Sequence, residues 1–155
     1  MSNNQEVTSQ GHTHRQRTRD LPWDRDSVNG GPTSISILLN WLKTRGNYAR
    51  WDAASFVRHE REQVCMEILT LMQTQGITHR HAMSISHRIQ LLRRNYNTAR
   101  EFINHARGNG NGNDPILLTY ARRVCEHWDR LDPIMGPQLI EHHSEGSEAE
   151  STNTS

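Results

Sequence analysis

Between Ile77 and Ala106 the residues Ile85, Ile89, Leu92, Tyr96, Ala99 and Ile103 recur at alternating spacings of four and three. That period keeps one stripe of a long helix apolar, so this stretch has to bury one face and leave the other to solvent or to a partner. The other face is basic. Arg80, Arg88, Arg93, Arg94, Arg100 and Arg107 stand against the single acid Glu101, and His79, His81, His87 and His105 add charge at lower pH. A helix that enters a nucleic-acid groove requires this pattern. An ordinary solvated helix can also carry it, so the remaining chain has to decide.

The chain has 155 residues, enough for one core and too few for two comfortable ones. Residues 1–31 are polar with few aliphatics and read as a disordered N-terminal arm, and residues 137–155 read as a disordered acidic tail. A helical domain is expected over 32–136. The formal net charge of +1 conceals an uneven distribution: the tail holds Glu141, Glu145, Glu148 and Glu150 with no Lys or Arg, whereas the long helix is arginine-rich. The local field therefore says more about partners than the overall charge does. Within the arm, Arg15, Arg17 and Arg19 form a small basic cluster, and Trp23 is the residue able to dock on the core.

Four helices follow from periodicity and punctuation. The first starts after Pro32 with Thr33 or Ser34 as cap, buries Ile35, Leu38, Trp41 and Leu42, and ends at Gly46-Asn47. Tyr48 to Trp51 reads as an aromatic connector. The second helix, opened by Asp52 or Ser55, turns Val57, Val64, Ile68, Leu71 and Met72 inward, with Arg58, Glu60, Arg61 and Glu62 on a solvated face. Gly76 stops it, and a turn of about three to five residues leads into the long third helix, which makes a helix-turn-helix corner. After the linker Gly108–Asn113, Asp114 and Pro115 open a fourth helix that places Leu117, Ala121, Val124 and Trp128 on one face and ends at Pro133 and Gly136. Every apolar stripe has a helical period, so the fold is expected to be all-α.

Enzymatic and metal chemistry find little support. The ten histidines include His12-x-His14, His79-x-His81, Cys125-x-His127 and His142-His143, none in a paired zinc-finger spacing, so no cofactor is expected. No nucleophile, base and orienting partner occur in a recognisable order, and the glycine-rich segment is a linker and not a phosphate loop. Cys65 and Cys125 fall on apolar faces as buried free thiols. No apolar run is long enough to span a membrane, and the N-terminus lacks the hydrophobic region of a secretory signal, so a soluble intracellular protein is expected.

For nucleic acid the reading residues would be Arg80, Met83, Ser84, His87, Arg88, Gln90 and Arg94 on the third helix, with phosphate contacts from Arg93, Arg50 and Lys43. Arginine can bridge the O6 and N7 of guanine, while glutamine and serine read other base edges.

Three segments, SILLNWLKTRGNYARW, EILTLMQTQGITHRHAMSISHRIQLLRRNYNTAREFI and RRVCEHWDRLDPIMG, occur in this order over Ser36 to Gly136. Together they resemble the Myb/SANT-like trihelical DNA-binding domains of fungal and oomycete proteins. Trp41, Gly46, Asn47, Tyr48 and Trp51 match that group's opening motif. Gly76, Ile77, Arg80, Ala82, Ile89, Leu92, Tyr96, Ala99 and Phe102 match its third helix, and Cys125, Leu131, Pro133, Met135 and Gly136 match its close. The chain departs from the group at the third-helix cap, where His81 and Ser84 replace Thr and an acid, and on the reading face at Met83, His87 and Arg88. The resemblance implies a three-helix helix-turn-helix core with an extended third helix and an additional C-terminal helix. It implies a nuclear, sequence-specific duplex-DNA-binding protein that serves as a transcriptional regulator, acting with other chromatin or transcription proteins. Two alternatives are a SANT-like module that binds an acidic partner or histone tail, and a helical scaffold that homodimerises through the fourth helix.

Overall fold

The computed structural model describes residues 21–54, 57–108 and 114–137. Among them are six helices and no strand: α1 (Ser34–Lys43), α2 (Asn47–Ala53), α3 (Arg58–Thr74), α4 (Ala82–Gly108), α5 (Pro115–Val124) and α6 (128–137). The all-α expectation holds. The basic cluster Arg15–Arg19, Ser55 as a helix opener, the linker 109–113 and the acidic tail from residue 138 lie outside the described residues.

Thr33 opens α1 from an extended conformation, its hydroxyl accepting the Ser36 amide at 3.3 Å. The helix is buried on most of its surface, because Ile35, Ile37, Leu38, Leu39, Trp41 and Leu42 all pack inward. Gly46, at φ +86°, turns the chain into α2, so the aromatic connector expected from Tyr48 to Trp51 is instead a short helix that buries both rings. α3 begins later than expected, at Arg58, and its buried residues are Val64, Cys65, Ile68, Leu69 and Met72. Val57 and Leu71, expected inside, are exposed: Val57 is the residue before the first turn, and Leu71 is rotated off the stripe that Leu69 and Met72 define.

The corner after α3 is longer than the expected turn, running from Gln75 to His81. Gly76 adopts φ +85°, the Ile77 amide donates back to the Met72 carbonyl at 3.0 Å, and the Ile77 side chain plugs the core. Arg80 is buried too, so the extra residues are spent filling the corner. α4 then buries Ile85, Ile89, Leu92, Tyr96, Ala99 and Ile103, the six positions of the stripe.

The expected fourth helix is two. Asp114 caps α5 by accepting the Ile116 amide at 3.0 Å, with Pro115 in the first turn, but Cys125 is extended at φ −127°, ψ 98° and breaks the helix. Residues 125–127 form a turn, and α6 resumes at Trp128 with Pro133 inside it rather than at its end. Trp128 stacks on Tyr96 with centroids 5.0 Å apart, and the Tyr96 hydroxyl donates to Asp132 at 2.8 Å, which ties α6 to α4. Burial, then the neighbouring Asp132 carboxylate, pushes the Tyr96 phenol well above its usual range.

The folded body also begins before residue 32. Leu21 to Thr33 lie against α1 and α4, with Trp23 and Asp26 buried and the Ile35 amide donating to the Trp23 carbonyl at 2.9 Å. The expected arm boundary at residue 31 thus falls inside a packed segment. Cys65 and Cys125 are buried and free, and burial raises both thiols above their ordinary pKa. No helix among the described residues is long and apolar enough to cross a membrane.

Candidate nucleic-acid interface

α4 is held along one face by its apolar stripe, so the positions rotated away from that stripe form an outward ridge. Met83, 64% exposed, together with His87 and Arg94 lies on this ridge, and the half-buried Gln90 lies at its edge towards α3. These four are the sequence-derived candidates that the fold brings together.

The others are dispersed, each for a physical reason. Arg80 precedes α4 and is only 7% exposed. Its guanidinium donates to Asp26 at 3.0 Å and to the Leu21 carbonyl at 2.6 Å, and its carbon lies 4.5 Å from the centre of the Trp23 ring. It fastens the 21–33 segment and is not on the reading face. Ser84 is engaged at the helix start, where its hydroxyl donates to the His81 carbonyl at 2.8 Å and accepts the His81 amide at 3.1 Å. This reciprocal pair replaces the acid of a capping box. Arg88 also lies against Trp23, 4.8 Å from the ring centre, and burial, then the nearby Arg80 charge, lowers its pKa.

Arg93 lies on the α3 side, donating to Asp52 at 2.7 Å. Arg50 is on α2, paired with Glu67 at 2.5 Å and stacked over Trp41. Lys43 ends α1 in a hollow shared with Asp129 and Arg130, alongside α6 and not with the α4 ridge.

Two arginines that the sequence reading left on a solvated face complete the surface. Arg58 and Arg61, on the first turn of α3, line the crevice facing Met83, His87 and Gln90. Arg61 and Arg93 lie 4.7 and 4.9 Å from the centre of the Trp51 ring. Among the described residues none of Arg58, Arg61 and Arg94 is paired with a carboxylate. Their spacing in the sequence could not reveal this, because the mixed-sign run Arg58-x-Glu60-Arg61-Glu62 looks self-neutralising until the fold shows which charges are paired.

No family model, curated protein or solved structure matches the chain. The functional argument therefore rests on the site itself. The ridge combines a guanidinium, an imidazole, a carboxamide and an exposed thioether, flanked by unpaired arginines. Such a surface can donate hydrogen bonds to phosphate oxygens and to base edges.

Proposed function

We propose that this chain is a Myb/SANT-like helix-turn-helix protein that binds duplex DNA sequence-specifically, acting in the nucleus as a transcriptional regulator. In this reading α1, α3 and α4 are the three helices of the core, α2 is a short insertion, and α5 and α6 buttress the extended end of α4. The ridge of α4 enters the major groove, with His87 and Gln90 meeting base edges and Met83 making apolar contact with thymine methyls. The carrying observation is the exposed ridge from Met83 to Arg94, bordered by arginines that have no acidic partner.

A fluorescence-anisotropy titration with random-sequence duplex DNA at several salt concentrations tests this. Three unpaired arginines at phosphates give a log–log salt slope of about −3, since each neutralised phosphate contributes roughly −0.9. Absence of binding at low salt would refute the reading. Selection of bound sequences from a random duplex pool then measures specificity, and Gln90→Ala is expected to relax preference at one position, at a cost of about 1–3 kcal/mol.

Self-association has one observation in its favour. Ile116, 73% exposed, with Leu118, Tyr120 and Phe102 leaves an apolar surface on α5 and the end of α4, and the Phe102 and Tyr120 rings lie 4.1 Å apart. Sedimentation velocity distinguishes a dimer from a monomer, and Ile116→Glu is expected to shift a dimer to monomer.

A further inference from the structure

Arg61 is held in an unusual state for a surface arginine. Its Nε atom is buried with no hydrogen-bond acceptor, and its guanidinium carbon lies 4.7 Å from the centre of the Trp51 ring. Arg93, against the same indole, is neutralised by Asp52 at 2.7 Å, and among the described residues Arg61 has no such partner. The guanidinium lines an open crevice without a carboxylate partner, so an anion that reaches its terminal nitrogens gains a charge-assisted hydrogen bond. Because the ring already fixes the guanidinium, little further conformational entropy is lost when that acceptor arrives.

The surroundings specify what kind of acceptor fits. Arg61 lines a hollow of about 540 Å³ between α3 and α4 together with Gln90, Arg94 and Asn97, closed at its far end by Glu101. Through Arg61 and Gln90 this hollow continues into a second, of about 270 Å³, that reaches Arg58. The result is a groove with guanidinium and carboxamide donors along its length and two carboxylates, Glu101 in the first hollow and Glu62 in the second. Its donors suit oxygens that come in pairs, as on phosphate, since a guanidinium fork engages two at once. Its extent suits a chain of singly charged groups more than one compact dianion, which Glu62 and Glu101 would repel.

We propose that the α3–α4 crevice seats one phosphodiester strand of the bound duplex, with Arg61 as the preorganised anchor and Arg94 as the second cation. This rests on the duplex-DNA reading above and adds to it a defined backbone track. The α4 ridge meets bases only after α3 has grasped the strand, which makes α3, and not the α4 ridge alone, part of the interface.

The test uses the full chain and a fluorescein-labelled random-sequence duplex, with affinity followed from low to physiological salt. Arg94→Gln removes an exposed charge without touching the core, and Arg61→Lys keeps the charge but loses the fork and the ring contact. Thermal unfolding of each variant confirms that it folds. Arg94→Gln is expected to weaken binding and reduce the salt slope by about one unit. Arg61→Lys is expected to keep the slope and lose about tenfold in affinity, the worth of a charged hydrogen bond. If the wild-type chain binds duplex and both folded variants bind with its affinity and slope, the strand seat is overturned while DNA binding stands. If the wild-type chain binds no duplex at low salt, both fall. Equal affinity for a labelled poly-glutamate peptide, with the same loss in Arg61→Lys, overturns the assignment to phosphodiester and marks the crevice as a seat for an acidic protein segment.

Discussion

Asp26 shows how much one side chain can decide. Its carboxylate has no exposed side-chain surface and accepts from the Ser34 amide at 2.8 Å, the Ser34 hydroxyl and Arg80 at 3.0 Å, with His79 Nε2 3.1 Å away. Burial alone would raise its pKa. The Ser34 hydroxyl and amide, followed by Arg80, outweigh that penalty and hold it below the usual carboxylate range. A carboxylate depressed in the folded state adds stability that is fully present above its unfolded pKa of roughly 4 and is lost as pH falls through the folded value. Stability against urea is therefore expected to fall as pH drops below about 4, and to fall less steeply in Asp26→Asn. Asp26→Ala strands Arg80 as a buried unpaired charge, and a loss of about 3–5 kcal/mol is expected in denaturant titrations at neutral pH. Nothing in the local sequence announces this residue. Asp26 sits in a polar run that resembles an arm, and its partner Arg80 is 54 positions away, so only the closed fold reveals that the two belong together. Trp23 was legible as a residue able to dock, because a lone indole in a polar stretch has nowhere else to bury its ring.

At the scale of helices, periodicity was most reliable where one residue type pattern ran long. The α4 stripe was readable in full because six apolar positions repeat over five turns, leaving one rotation of the helix possible. The break between α5 and α6 was not, because Cys125 is itself buried and keeps the apolar spacing intact while its backbone leaves the helix. Short α2 was missed for a related reason: seven residues hold too few apolar positions to show a period. The corner between α3 and α4 was legible through Gly76, although its length was not. Gly46 and Gly76 share the left-handed conformation, but their surroundings differ. A Cβ on Gly46 meets nothing within 4 Å, whereas on Gly76 it would meet the Val28 side chain at 3.0 Å, part of the 21–33 segment. Gly46→Ala is expected to cost about 1 kcal/mol from backbone strain alone. Gly76→Ala adds displacement of Val28 and is expected to cost about 2–3 kcal/mol, read as a lower midpoint in urea unfolding. Equal midpoints for the two variants would show that the corner yields freely.

In the molecule as a whole, two tryptophans are each flanked by two arginines, and together they link the candidate interface to the frame. Trp51 is packed by Arg61 and Arg93 under the crevice, and Trp23 by Arg80 and Arg88. The candidate site was therefore only half legible: sequence could find the arginines and the helix that carries them, but not which were spent on tryptophan faces and internal carboxylates. The same arrangement gives a sharp test of where the folded unit starts. A fragment beginning at Pro32 loses Trp23 and Asp26 together, leaving Arg80 buried without its carboxylate and Arg88 without its ring. Loss of a buried Trp costs about 3–5 kcal/mol, and the stranded Arg80 adds a penalty of comparable size. A domain of this length has a total stability of roughly 5–15 kcal/mol, so the two losses consume most of it. The fragment 32–155 is expected to unfold at a much lower temperature than the full chain, or to lack a cooperative transition. A fragment 21–155 retains Trp23, Asp26 and the Leu21 carbonyl that accepts from Arg80, and its unfolding midpoint is expected within a few degrees of the full chain's. Circular dichroism melts of the three proteins decide the matter. Matching midpoints for 32–155 and 21–155 would mean that the segment lies on the core without stabilising it.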